Sequence, residues 1–252
     1  MLCLFPVLQV LQVRGIYGTL AEPQTCLAPP LGLHSLALGE TSVGSVLRYM
    51  CRAGHLPILK SVVLPRVRSL DIPSVREALP HLGNTLRHLH IELSRSHPDS
   101  LDVHAMFDLS LLRNLRTLSI HDATTGHPTQ FNPSPMLTLI CSLVAPALRS
   151  FSLDLDLQLY HNLDWATLEA FLSPVRFPRL RKVVFQCRHS SDWVFLCKAL
   201  PLLNVSGLLC IVSEGGLEFR RSQPVSAGAP GAPSSKSLWS FPLLCRFFRD
   251  GL

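Results

Sequence analysis

Thr85-Leu86-Arg87-His88-Leu89-His90-Ile91-Glu92 and Asn114-Leu115-Arg116-Thr117-Leu118-Ser119-Ile120-His121 are the two stretches on which the fold turns. Each carries three apolar residues, the second three positions after the first and the third two positions later: Leu86, Leu89, Ile91 and Leu115, Leu118, Ile120. Residues two apart on a strand point to the same face. Leu89 and Ile91 are therefore predicted to enter a core, while His88, His90 and Glu92 face the other way.

The same spacing recurs outward in both directions. It is present at Leu8-Leu11-Val13, Leu33-Leu36-Leu38, Leu59-Val62-Leu64, Leu148-Phe151-Leu153, Leu180-Val183-Phe185 and Val205-Leu208-Cys210. The units begin about 25 to 33 residues apart, a period that belongs to stacked repeat architectures. In the third unit, Val67-Leu70-Ile72 fits as well as Leu59-Val62-Leu64, and the flanking Pro65 and Pro73 leave that register open.

Helical patterns separate the strands: 42–52, 74–82, 101–112, 134–144, 164–172 and 192–200, the second of them interrupted near its end by Pro80. Asp164-Trp165 and Asp192-Trp193 show one design twice. Each Asp is expected to cap a helix and each Trp to begin its apolar face. A strand and a helix of this length cannot bury their apolar faces alone. Stacked, they predict an α/β leucine-rich-repeat solenoid of about eight irregular repeats, with a parallel inner sheet and outer helices. The repeat domain is expected over 1–213. A Pro/Gly/Ala/Ser-rich flexible linker is expected over 214–237, and an apolar and basic tail, docked or disordered, over 238–252.

Composition agrees with this reading and excludes others. Apolar residues make up 47% of the chain and leucine about a fifth, which leaves repeat, coiled-coil and membrane classes. The best candidate span, 193–212, is broken by Lys198, Pro201 and Gly207, so no membrane span is expected. The 20 prolines are spread along the chain and interrupt any long coiled coil. Net charge is +6, but Lys and Arg are scattered, and the tight groups Arg179-Arg181-Lys182 and Arg220-Arg221 are short. No nucleic-acid partner is expected on that ground. The eight cysteines include no C-x-x-C pair, and several sit among apolar neighbours. Reduced buried thiols point to an intracellular, cytoplasmic or nuclear, protein.

Leu148-Arg-Ser-Phe151-Ser-Leu153, Phe177-Pro-Arg-Leu180-Arg-Lys-Val183-Val-Phe185 and the strand starts at Leu86 and Leu115 resemble the leucine-rich-repeat region of F-box-like proteins, particularly the large fungal families. The resemblance covers about residues 5–212. It implies a substrate-recruiting module of a ubiquitin-ligase subunit, whose F-box would dock on the ligase adaptor. No helical F-box pattern precedes Phe5-Pro6-Val7-Leu8. The ligase adaptor is thus expected as a partner only if an F-box is supplied elsewhere, and a truncated product without a stable partner is an alternative.

Aligning the units places the outward strand residues in columns on the concave face. The polar middle of that face holds the candidate partner-binding residues: His88, His90, Glu92, Thr117, Ser119, His121, Ser152, Asp154, Lys182 and Gln186. Rigid polar strips of this kind are where repeat proteins bind other proteins. A second reading makes the His/acid cluster a metal site, or a hydrolase with Ser119 or Ser152 as nucleophile. The sequence holds no G-x-S-x-G, H-E-x-x-H or phosphate-loop motif, so no catalytic residue, metal or cofactor is expected.

Overall fold

The last two apolar positions of the first seven units lie on strands, and those strands pair in the order in which the chain produces them. The computed structural model describes residues 7–15, 32–93, 107–123, 131–187, 190–213 and 218–219. The strands are β1 (Val10–Val13), β2 (Ser35–Leu38), β3 (Ser61–Val67), β4 (His88–Leu93), β5 (Thr117–Asp122), β6 (Ser150–Asp154), β7 (Lys182–Cys187), β8 (Leu209–Ser213) and β9 (Glu218–Phe219). They form one sheet in the order β1 to β9. The first eight strands are parallel, and β9 is antiparallel to β8. The protein is thus an α/β fold on an eight-stranded parallel sheet. The chain divides into two units, Met1–Arg220 and Arg221–Leu252, and every described residue lies in the first.

Between the strands run α1 (Val43–Arg52), α2 (Ile72–Leu82), α3 (Ser134–Cys141), α4 (Trp165–Phe171), α5 (Ser190–Ala199) and α6 (Pro201–Val205). Leu36, Val62, Leu89, Leu118, Phe151 and Val183 are fully buried, and the strand residues two positions on repeat the pattern. They share one core with Leu47 and Met50 of α1, Val75 and Leu79 of α2, Ile140 of α3, Leu168 of α4 and Leu196 of α5. Each such side chain contributes about 1.5–3 kcal/mol relative to exposure. The alternate strand residues are only half-buried, which leaves the second face of the sheet open.

Two buried carboxylates tie neighbouring segments together. Asp71, just before α2, accepts the Gly44 N–H of α1 at 3.0 Å and the Arg68 N–H at 3.2 Å. It serves as the acceptor for the first turn of α1, where the Ser42 side chain makes no cap bond. A Cβ on Gly44 would lie 2.8 Å from the Asp71 Oδ1, so this approach needs glycine. Glu169 of α4 likewise accepts the Leu203 N–H of α6 at 2.9 Å. The Ser42 hydroxyl is instead turned to the sheet, donating toward Val13 O and Gly39 O.

One open register is settled, and several expectations are corrected. Val62 pairs with Leu89, which fixes the third unit on Leu59-Val62-Leu64; β3 then continues to Val67 through a bulge at Pro65-Arg66, where Arg66 has φ 42°. The eighth unit is shifted: Val205 ends α6 and is exposed, Gly207 turns the chain at φ 71°, and Leu209 rather than Leu208 pairs with Val183. Val184 and Gln186 therefore neighbour Cys210 and Val212, not Leu209 and Ile211. The extra residue is consumed by the short helix that Pro201 starts. Of the helix expected over 101–112, residues 101–106 lie outside the described residues, and the rest forms a single 3-10 turn, Leu109–Leu111, capped by Asp108. Asp164 caps α4 through Thr167 N–H at 3.0 Å as expected, whereas Asp192 lies inside the first turn of α5. β9 falls within 214–237; the rest of that segment and all of 238–252 lie outside the described residues.

Candidate functional site

The open face of β4 to β7 is assembled by register alone. His88, Thr117, Ser150 and Lys182 are successive partners, as are His90, Ser119, Ser152 and Val184, and Glu92, His121, Asp154 and Gln186. All ten expected site residues thus lie on one face, in three adjoining columns. Those on β4, β5 and β6 are half-buried; Lys182 and Gln186 are exposed.

The third column has the strongest interactions. The His121 Nδ1–H donates to Asp154 Oδ2 at 2.5 Å, from a histidine and a carboxylate each about a quarter exposed. Burial alone would lower the His121 pKa, but the hydrogen bond and charge of Asp154, with the charges of Glu92 and Asp122, outweigh it and raise it. His90, one column across, goes the other way. Its burial, with the nearby His121 and against the pull of Asp154, lowers it to about 4. His88 is also lowered, by burial and then by the charges of Arg116 and Arg87. The face therefore sets a His90 that resists protonation beside a His121 whose cationic form Asp154 stabilises.

Arg66, Glu40, Tyr160 and Asp122 were missed by sequence reasoning. Arg66, turned outward by the β3 bulge, donates to Glu92 Oε1 and to Glu40 Oε2, each at 3.3 Å. Both pairs are solvent-exposed on the arginine side and contribute little stability. Tyr160, fully buried, donates its hydroxyl to the buried carboxylate of Asp122 at the end of β5. The only sequence signal for Tyr160 was a tyrosine beside the run Leu153-Asp-Leu155-Asp-Leu157, which favours burial but not that partner.

Among the described residues neither Ser119 nor Ser152 hydrogen-bonds a histidine, and His121 Nδ1 is already engaged by Asp154. No group of three His, Cys, Asp or Glu side chains among the described residues is placed to hold a metal ion. Cys51, Cys141 and Cys187 are free thiols, and burial followed by nearby acidic charge pushes Cys187 up to about 12, far from a reactive thiolate. No helix among the described residues is long and apolar enough to cross a membrane. Comparison with protein-family models, with curated proteins and with solved structures finds no match to this chain.

Proposed function

We propose that this chain is a leucine-rich-repeat solenoid acting as a protein-recognition module, comparable to the substrate-recruiting repeats of an F-box-like ubiquitin-ligase subunit. One observation carries the reading. Three columns of polar side chains lie on the open face of an otherwise apolar sheet, each backed by fully buried neighbours. A face so rigidly mounted and only half-solvated is poised to pack against a second surface with little ordering cost. The His121–Asp154 pair and the hydroxyls of Thr117, Ser119 and Ser152 offer donors and acceptors at fixed spacing, which favours specificity over raw affinity. A ligase adaptor would be engaged only through an F-box, and the repeats would select the substrate.

The test is cross-linking capture from cells, with the wild-type chain beside a Ser119→Arg/Ser152→Arg variant whose thermal unfolding is unchanged. Proteins retained by the wild type and lost by the variant would mark the face as the binding surface. Identical protein sets from both would remove the face from the reading, and absence of adaptor subunits from captures made with the F-box present in the cell would remove the ligase role.

A further inference from the structure

The lysines and arginines that look scattered along the sequence meet in space. The residue immediately before each of five successive strands, β3 to β7, is basic: Lys60, Arg87, Arg116, Arg149 and Arg181. The parallel ladder extends to these positions. Arg87 N–H donates to Lys60 O at 2.8 Å, Arg116 to Arg87 at 2.7 Å, Arg149 to Arg116 at 2.8 Å and Arg181 to Arg149 at 2.8 Å, while Lys60 itself donates to His34 O at 2.8 Å. Backbones joined in this way are one strand spacing apart, so the five residues stand in a row about 19 Å long along the backbone. Four of the five are exposed and Arg116 is partly so. No Asp or Glu stands within two residues of any of them along the chain. Among the described residues none of the five forms an ion pair.

Five like charges carried on backbones about 5 Å apart repel one another, and an opposite charge of matching period relieves that repulsion. An α-helix returns a side chain to the same face every turn, about 5.4 Å along its axis, close to the strand step. Nucleic acid fits less well. The adjoining column is Ser61, His88, Thr117, Ser150 and Lys182, with no Phe, Tyr or Trp for bases to stack on.

We infer that the strand-start edge of the sheet, Lys60-Arg87-Arg116-Arg149-Arg181, binds an acidic polypeptide segment that presents one carboxylate per helical turn. This rests on the reading of the chain as a protein-recognition module, but it uses a different surface from the polar columns. The edge selects for charge and the face for shape and hydrogen bonding.

The probe is a fluorescein-labelled peptide of about five turns with one glutamate per turn on a single face. Fluorescence anisotropy compares it with a peptide of the same composition whose glutamates are spread around the helix, and with an oligothymidylate of equal charge. Two charge-matched variants of the full chain are compared: Arg87→Glu/Arg149→Glu on the edge, and Arg76→Glu/Lys198→Glu on the exposed sides of α2 and α5. The one-face peptide should bind saturably, weaken as salt rises, and lose about tenfold or more in affinity with the edge variant but not with the helix variant. Equal losses in both variants, equal binding of the spread peptide, tighter binding of the oligonucleotide through the same arginines, or no binding at low salt would each overturn the assignment. A negative result here, with capture still sensitive to Ser119→Arg/Ser152→Arg, would leave the face reading standing.

Discussion

His90→Gln should make the protein less sensitive to acid. His90 binds its proton near pH 4 when folded, whereas an unfolded histidine does so near pH 6.5. The sign follows from proton counting. Between those values the unfolded chain holds the proton and the folded chain does not, so protonation favours unfolding. The stability associated with a neutral His90 is complete above about pH 6.5 and is lost as pH falls toward 4. Linkage puts the loss at about 2 kcal/mol at pH 5 and about 3 kcal/mol once both states are protonated. His121 has the opposite slope, because its folded pKa is raised: its contribution is complete below the unfolded value and fades as pH rises through the folded one. That contribution is present in both proteins and largely cancels in their difference. Urea unfolding at pH 7.5 and pH 5, fitted for each protein, should show the wild type losing about 2 kcal/mol more than His90→Gln. Equal losses, or an imidazole titration of His90 by NMR with its midpoint near 6.5, would refute the burial argument.

Other consequences are equally direct. Asp154→Asn should move the His121 titration midpoint downward by NMR, since it removes the carboxylate that does most to hold the imidazolium, and should cost about 1 kcal/mol for a pair that remains partly solvated. Asp71→Ala should cost about 2–3 kcal/mol in chemical denaturation because the Gly44 N–H is left buried without its acceptor, and Asp71→Asn should recover part of that loss. Phe151→Ala, at the centre of β6 and fully buried, should cost about 3–5 kcal/mol by the same measurement. Gly39→Ala would drive its Cβ into the Arg14 carbonyl and strain the 2.5 Å bond from Gly39 N–H to Val13 O; hydrogen exchange should then show lost protection in Val10–Val13 while β5 and β6 stay protected.

Strand positions and their inward residues were legible because two signals agreed, the 3-2 apolar spacing and its recurrence. Leu89, Leu118 and Phe151 are buried for the same reason that they stand out in the sequence. The face columns followed, because parallel register carries one correct alignment to the next strand. Legibility ended where apolar spacing was ambiguous. Val205-Leu208-Cys210 satisfied the pattern, but Pro201 began a helix that displaced the strand by one residue. Tertiary hydrogen bonds left little trace: Asp71 finding Gly44, Glu169 finding Leu203 and Tyr160 finding Asp122 join residues about one unit apart, and composition does not encode such partners. The basic row was visible in principle, since Leu59-Lys60, Leu86-Arg87, Leu115-Arg116, Leu148-Arg149 and Leu180-Arg181 share one place in the unit. Its members are too far apart along the chain to register as a cluster, and only their equivalent repeat positions bring them together.

The strict chain order of the sheet has a bearing on how the molecule is made. Each parallel strand finds its partner in the strand just before it, so no pairing waits for a distant part of the polypeptide. Closing any one of these loops takes only one unit's length of chain, a small entropic step. During synthesis from the N-terminus, a strand leaving the ribosome meets a template that is already assembled, and the sheet can grow by accretion, one unit at a time. At every stage its growing edge is covered by the next segment of the same polypeptide, which shortens the interval in which that edge could pair with another molecule.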